Sequence, residues 1–384
     1  MILQDDWVKR SGTQALCAVI GLSGHRAFFV GGCVRNALLG VAVTDIDIAT
    51  DAWPATVMEI AESAGFKVIP TGVDHGTVTV IAGGIHHEVT TFRRDVESNG
   101  RRAVVAFSTD LAEDAARRDF TMNALYAHPS GEVVDPLGGI ADLRSRRVRF
   151  VGDPQQRIRE DYLRILRFFR FHAVYGDATQ GVDQDGLAAC AELADGIATL
   201  SAERIGSEMR KLLAAWNPAP AVATMAAAGV LNRVLPGSDP RALAPLVHLE
   251  QDIPARWQRR LAVLGGDVDG WRLSRQEMAE LGRIRDEIGS SLTPAALGWS
   301  LGETPAQDVL LCRAALLESA LPQDWHAQIQ RGAQSTFPVT AADLMPDLQG
   351  PELGQRLKSL LAAWLKSDLT LTREALLRTT TFEG

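Results

Sequence analysis

Apolar and polar positions follow two different periods along the chain, and the change of period divides it. Ala27–Val30 is an unbroken apolar run, short enough for a buried strand. Gly31 and Gly32 follow as a turn, and Cys33–Gly40 reads as a helix ending at a glycine. Thr44–Ala49 alternates strictly, so Ile46 and Ile48 face a core while Asp45 and Asp47 share the opposite face of a second strand. Trp53–Gly65 has the spacing of an amphipathic helix. Thr77–Phe92 reads as a hairpin turning at Gly83-Gly84. The polar stretch 93–104 predicts a mobile loop, Arg117–Ala127 a helix, and Gly131–Gly139 a strand and turn.

Past residue 150 the period changes. Asp153 and Pro154 suit the N-cap and first position of a helix, and the pattern predicts one continuous helix from there to Tyr175. Cys190–Ala215 predicts two more. The remainder reads as mostly helical, with Pro and Gly punctuation at 217–220, 236–240 and 337–351. No short-period repeat or low-complexity tract occurs. The expected fold class is α+β: a mixed α/β head over 1–150, an all-α neck and body over 151–240, and a helical body and tail over 241–384.

Composition narrows the class. A chain of 384 residues exceeds one small core and predicts two or three domains. It is 46% hydrophobic and 22% charged, ordinary for a globular protein. No apolar run approaches the ~20 residues of a membrane span. The start, MILQDDWVKR, lacks the basic-then-apolar layout of a secretion signal, so a cytoplasmic protein without a membrane partner is expected. Cys17, Cys33, Cys190 and Cys312 are scattered, which predicts reduced, mostly buried thiols. His86 and His87 are adjacent and would point to opposite strand faces, a poor metal clamp. The net charge of −8 argues against a nucleic-acid partner. Its distribution argues the other way. Between Arg144 and Arg170, nine arginines face three acids, and a phosphate senses charge only within ~8 Å at physiological salt.

The candidate chemistry centres on the two aspartates. Carboxylates at i and i+2 of a strand lie about 6–7 Å apart on one face. Oxygen-only ligands suit Mg²⁺, which takes one or two carboxylates and completes its shell from substrate phosphates. A lone pair of this kind is common on solvated strands, but here a Gly-Gly turn precedes it. A strand-to-helix glycine turn exposes backbone N–H groups at the positive end of a helix dipole, an anion site. Arg35 lies one turn into that helix and adds a charge-assisted contact. Phosphate binding beside two carboxylates is the arrangement of nucleotidyl transfer. A third acid is wanted from a neighbouring strand, and Glu88 is the candidate. The chain has no GxxxxGK[ST] loop and no GxGxxG.

At this point the sequence resembles a family. GGCVRNALLG with TDIDIAT is similar to the first motif of the class II tRNA nucleotidyltransferases, the CCA-adding enzymes. These are grouped with bacterial poly(A) polymerases in the polymerase-β-like superfamily. RRDFTMNA (Arg117–Ala124) resembles the family's ribose-recognition motif, and DPLGGIADL (Asp135–Leu143) its head-to-neck linker. EDYLRILRFFRF (Glu160–Phe171) resembles its base-reading motif, SAERIGSEMRKLL (Ser201–Leu213) the helical motif that follows, and 337–361 its C-terminal RNA-facing region. The likeness runs close to full length.

The resemblance implies addition of C, C and A to the tRNA 3′ end from CTP and ATP, with release of pyrophosphate. Asp45 and Asp47 would hold Mg²⁺ and Glu88 would assist. Gly31, Gly32 and Arg35 would bind the triphosphate. Arg118 and Asp119 would meet phosphate or ribose, with Asn123 in support. Asp161 and Arg164 together would mimic a Watson-Crick edge, with Arg167 and Arg170 at nucleotide-contacting positions. The family's first motif usually reads VRD, whereas this chain has Asn36, which keeps size and hydrogen bonding but not charge. The full-length stretch at 93–104 favours an enzyme that also adds the final adenosine. A poly(A) polymerase and a CC-adding relative are the alternatives. The tail is not strongly basic, which weighs against the first. No clustered His-Asp ligands of an HD-type phosphohydrolase appear, and oligomeric state carries no sequence signal.

Overall fold

The structure is a computed structural model that describes residues 1–98, 103–251 and 253–378. The chain divides into two compact units, Met1–Glu208 with Ala227–Arg233, and Met209–Ala226 with Val234–Gly384.

The first unit opens with helix α1 (Ser11–Leu22), followed by β1 (Ala27–Val30), α2 (Gly32–Leu39), β2 (Ile46–Thr50) and α3 (Pro54–Ser63). Strands β3 (Lys67–Gly72), β4 (Thr77–Ala82) and β5 (Ile85–Thr91) come next, then β6 (Arg93–Ser98) and β7 (Ala103–Phe107). After α4 (Leu111–Ala116) come the short strands β8 (Tyr126–Ala127) and β9 (Val133–Val134) and helix α5 (Gly139–Arg144). Seven strands form one sheet in the order β3-β4-β5-β2-β1-β8-β9. All neighbours run antiparallel except β2 and β5, which are parallel. Apolar burial explains the order. Phe28, Val30, Ala49, Phe92, Ala115, Ala124, Tyr126 and Val151 pack as one cluster, which holds β1 and β2 inside the sheet.

Helices α6 (Pro154–Glu160), α7 (Leu163–Tyr175) and α8 (Gln184–Glu192) complete the unit, and α9 (Ala202–Leu213) begins in it. The second unit is helical from Ala219–Ala227 onward to Arg373–Arg378. Its helices include Trp257–Leu264 and Glu303–Leu316, joined by a buried ion cluster in which Asp308 accepts from Arg256 Nε (3.0 Å) and Arg259 Nε (2.9 Å). The α+β class, with a sheet-bearing head and a helical remainder, is the one expected. All four cysteines are free and buried. Among the described residues no helix is long and apolar enough to cross a membrane.

Three expected elements differ. The stretch 93–104 carries β6 and most of an antiparallel ribbon with β7, not an irregular loop; its residues 99–102 lie outside the described residues. The β-branched run Val104-Val105 is a strand signal that overall polarity concealed. Arg117–Ala127 is not a helix. Only Thr121–Asn123 makes a 3₁₀ turn, between extended residues. Phe120, Met122, Ala124, Leu125, Tyr126 and Ala127 are all buried, and a helix surface cannot hide so continuous a run on one face. The long helix expected after Asp153 breaks at Asp161, whose φ of −154° and ψ of 105° are extended. Tyr162 sets its ring on Gly196, where an added Cβ would fall 1.9 Å from the ring.

Candidate active site

The carboxylates come together through strand register. Asp47 lies on β2 directly opposite Glu88 on the parallel strand β5, so both side chains leave the same sheet face. Asp45 immediately precedes β2 rather than lying within it, and is exposed. Burial, then the neighbouring Glu88 carboxylate, push the Asp47 carboxyl up to about 6; Arg118 opposes this and Asp45 adds to it. Among the described residues no hydrogen-bond donor meets the Asp47 carboxylate, and no group of three or more Asp, Glu, His or Cys side chains gathers tightly enough to enclose an ion. The donor set fits a hard divalent cation held by an aspartate pair and completed by substrate oxygens: its oxygens are uncompensated and its negative charge is crowded.

The glycine turn lies at the next strand. Gly31 has φ +70°, a left-handed conformation suited to glycine. Its missing side chain also leaves room for Arg118, whose Nη1 would lie 3.3 Å from a Cβ there. No side chain caps the α2 N-terminus, so its first N–H groups face the turn as an anion site. Arg118 is held by Tyr126 Oη, which accepts from Nε at 3.0 Å, and by Asp114 Oδ2, which accepts from Nη2 at 3.0 Å.

Four of the expected residues form one connected chain. Arg167 donates from Nε and Nη2 to Asp119 Oδ2. Asp119 Oδ1 accepts from Asn123 Nδ2 at 2.9 Å and from the Phe120 N–H at 2.8 Å. Asn123 Oδ1 in turn accepts from Arg35 Nη1. The four acceptor positions of Asp119 are thereby filled, so a ribose hydroxyl reaching it displaces one of these donors. Burial works against its charge, but Arg167 and Asn123 hold its carboxyl below the usual range.

Arg35 points inward. It is buried, bonds Tyr175 Oη (2.7 Å) and Asn36 Oδ1 (3.1 Å from Nε, 2.9 Å from Nη2), and lies over the Tyr175 ring at 4.1 Å. It braces α2 against α7 instead of offering a free fork to the turn. Asn36 spends its other group on the Ala42 carbonyl, which an aspartate could not do. The asparagine therefore serves as a two-sided brace.

Asp161 and Arg164 do not share one edge. Because the helix breaks at Asp161, its Oδ1 caps the Leu163 N–H (3.1 Å) and its Oδ2 takes Arg204 Nη2 (2.7 Å). Arg164 bonds Glu160 and the carbonyls of Arg157 and Arg117. Arg170 donates to Glu208 at 2.6 Å. The guanidinium carbons of Arg35, Arg167 and Arg170 stand 5.3, 5.1 and 4.6 Å from the ring centroid of Phe171. Asp114, Tyr175 and Glu208 were not expected at the site. Asp114 had a readable signal, lying three and four residues before Arg117 and Arg118. Glu208 lay within the motif Ser201–Leu213 without an assigned role, and Tyr175 had no signal.

The poly A polymerase head domain matches residues 27–149, and the probable RNA and SrmB-binding site of polymerase A matches residues 182–241. These matches place the sheet-bearing head in the class of poly A polymerase head domains. The mitochondrial CCA tRNA nucleotidyltransferase 1 of Mus musculus is 43% identical over 203 residues, 53% of this chain and 47% of that protein; the match spans about half that relative's length. The CCA-adding enzyme of Geobacillus stearothermophilus is 34% identical over 363 residues, 90% of this chain and 87% of that one. The crystal structure of the Bacillus stearothermophilus CCA-adding enzyme in complex with CTP superposes with a TM-score of 0.73, at 31% identity and 93% coverage of each chain. The chain belongs to the CCA-adding enzyme family of the polymerase-β-like superfamily.

Proposed function

We propose that this chain adds C, C and A to the 3′ end of tRNA without a template, using CTP and ATP and releasing pyrophosphate. The observation that carries the reading is the register of β2 and β5. It sets Asp47 beside Glu88, next to the Gly31 turn over which Arg118 stands. Asp45 and Asp47 hold Mg²⁺, with Glu88 assisting. The ion supplies Lewis-acid stabilisation of charge on the reacting phosphate.

The tRNA 3′-OH attacks the α-phosphate in line, and no covalent enzyme intermediate is needed. Gly31, Gly32 and Arg118 receive the triphosphate, with Arg35 as the brace behind them. Asp119 and Asn123 present the ribose side of the site and keep Arg167 in place. Asp161 and Arg164, released from Arg204 and Glu160, read the base edge, and Arg167 and Arg170 flank it. Residues 1–150 carry catalysis, 151–240 base reading and RNA contact, and 241–384 the rest of the tRNA. Since tRNA and both nucleotides occur in the cytoplasm, the enzyme works there.

The test is incorporation on a tRNA transcript ending before CCA, with Mg²⁺ and labelled CTP, ATP or both, resolved at single-nucleotide length. A stop after three added residues that needs both nucleotides is the expected result. A stop after two would make it a CC-adding enzyme, and a long ladder from ATP alone a poly(A) polymerase. Asp45→Ala with Asp47→Ala should abolish incorporation while tRNA binding persists.

A further inference from the structure

We propose that Asp114 is a positioning residue for nucleotide binding: it holds Arg118 over the Gly31-Gly32 turn. The inference rests on the reading that Arg118 meets the incoming nucleotide.

Asp114 lies on α4, only 1% exposed. All four of its acceptor positions are used. Oδ1 takes Arg117 Nε at 3.0 Å and the Arg93 N–H at 3.3 Å. Oδ2 takes Arg118 Nη2 at 3.0 Å and Tyr126 Oη at 2.7 Å. Tyr126 Oη also accepts from Arg118 Nε at 3.0 Å, so Asp114, Tyr126 and Arg118 close a three-membered ring of hydrogen bonds. The ring uses Nε and Nη2 and leaves Nη1 as the corner of the guanidinium that stands over Gly31.

A long side chain held at two corners loses its rotational freedom before the ligand arrives, which is how a supporting residue raises affinity without touching substrate. The base of the ring is firm, because Tyr126 and Ala115 belong to the core of the head. Burial alone would raise the Asp114 carboxyl, yet Arg118, Arg117 and Tyr126 hold it down at about 2. It is therefore ionised at every working pH. A neutral amide of the same shape would turn an N–H toward donors and release the arginine.

The experiment is a double-mutant cycle on the full chain, reading kcat and KM for one CMP added to a tRNA transcript ending before CCA. Asp114→Asn should raise the CTP KM about tenfold with little change in kcat, the signature of lost uniform binding. Arg118→Gln should do the same. The double variant should be no worse than Arg118→Gln alone, because both remove one contact. If the two effects multiply, or if Asp114→Asn leaves KM unchanged while Arg118→Gln raises it, the positioning role is overturned and the site reading stands. If Arg118→Gln leaves KM unchanged, both fall. Should Asp114→Asn fail to fold, Tyr126→Phe removes another corner of the ring. It should raise KM several-fold through Arg118 alone, and an unchanged KM would overturn the proposal.

Discussion

At Asp47 the folded chain keeps a carboxylate among carboxylates, and that has a sign. Its folded-state value of about 6 lies above the unfolded value of 3.8, so the folded state binds more protons in between. Stability is then full below pH 4, falls as pH rises through the window to 6, and is lowest above it. Two units correspond to about 3 kcal/mol, or about 2 after allowing for the side chain's partial exposure. In chelator, Asp47→Asn should therefore be more stable than the parent by about 2 kcal/mol at pH 7 and equal to it at pH 4, while losing incorporation. Equal stability at both pH values would mean that the carboxylates are not crowded. Placement that follows from local pattern was legible: Asp47 on β2 from alternation, with Asp45 falling just before the strand, and Gly31 from its place between strand and helix. Partners set by tertiary packing were not. Arg35 reads as a phosphate ligand from its spacing, but Phe171 and Tyr175 draw it inward through contacts 136 and 140 residues away along the chain.

Among elements, the break between α6 and α7 matters most, because it decides what Asp161 can do. A continuous helix would have put Asp161 and Arg164 on one stripe. The propensities of Glu160–Tyr175 favour that helix, and the break comes from packing: the ring of Tyr162 occupies the notch at Gly196. No periodicity within the segment could reveal it, since the decisive residue lies on another element. Gly196→Ala should displace the ring and cost about 1–3 kcal/mol, the usual penalty for overpacking. Because Tyr162 adjoins Asp161, it should also lower the preference for CTP over UTP, read as a ratio of kcat/KM values. Tyr162→Ala removes the clash, so the double variant should be no less stable than Tyr162→Ala alone. An additive loss would show that Gly196 acts through something other than the ring.

For the whole molecule, the question is how a chain of net charge −8 would hold the tRNA proposed as its partner. The run of nine arginines from Arg144 to Arg170 suggested a strongly positive face. Among the described residues, six of the nine are paired with carboxylates: Arg147, Arg149, Arg157, Arg164, Arg167 and Arg170. Asp142, Asp183, Asp119 and Glu208 come from outside the run, which is why counting within it overstated the charge. A paired arginine offers a phosphate little, since binding there releases few counterions and strands the acid. Arg144, Arg146 and Arg159, the last bonded to the neutral Gln155, bear the charge instead. Each phosphate neutralised contributes about 0.7–0.9 to the slope of log affinity against log salt. Arg144→Gln with Arg146→Gln should therefore flatten the slope for tRNA binding by about 1.5 and leave the unfolding midpoint unchanged. Arg149→Gln should do the reverse. It takes the charged partner from the buried Asp142, which accepts from Arg149 Nε at 2.9 Å and, among the described residues, would keep only Thr121 Oγ1 at 2.6 Å, and so lowers stability by about 1–3 kcal/mol with the slope unaltered. If the salt slope instead drops with Arg149 and not with the other two, the paired arginines open to meet RNA, and the ion pairs of the ligand-free chain are partners exchanged on binding.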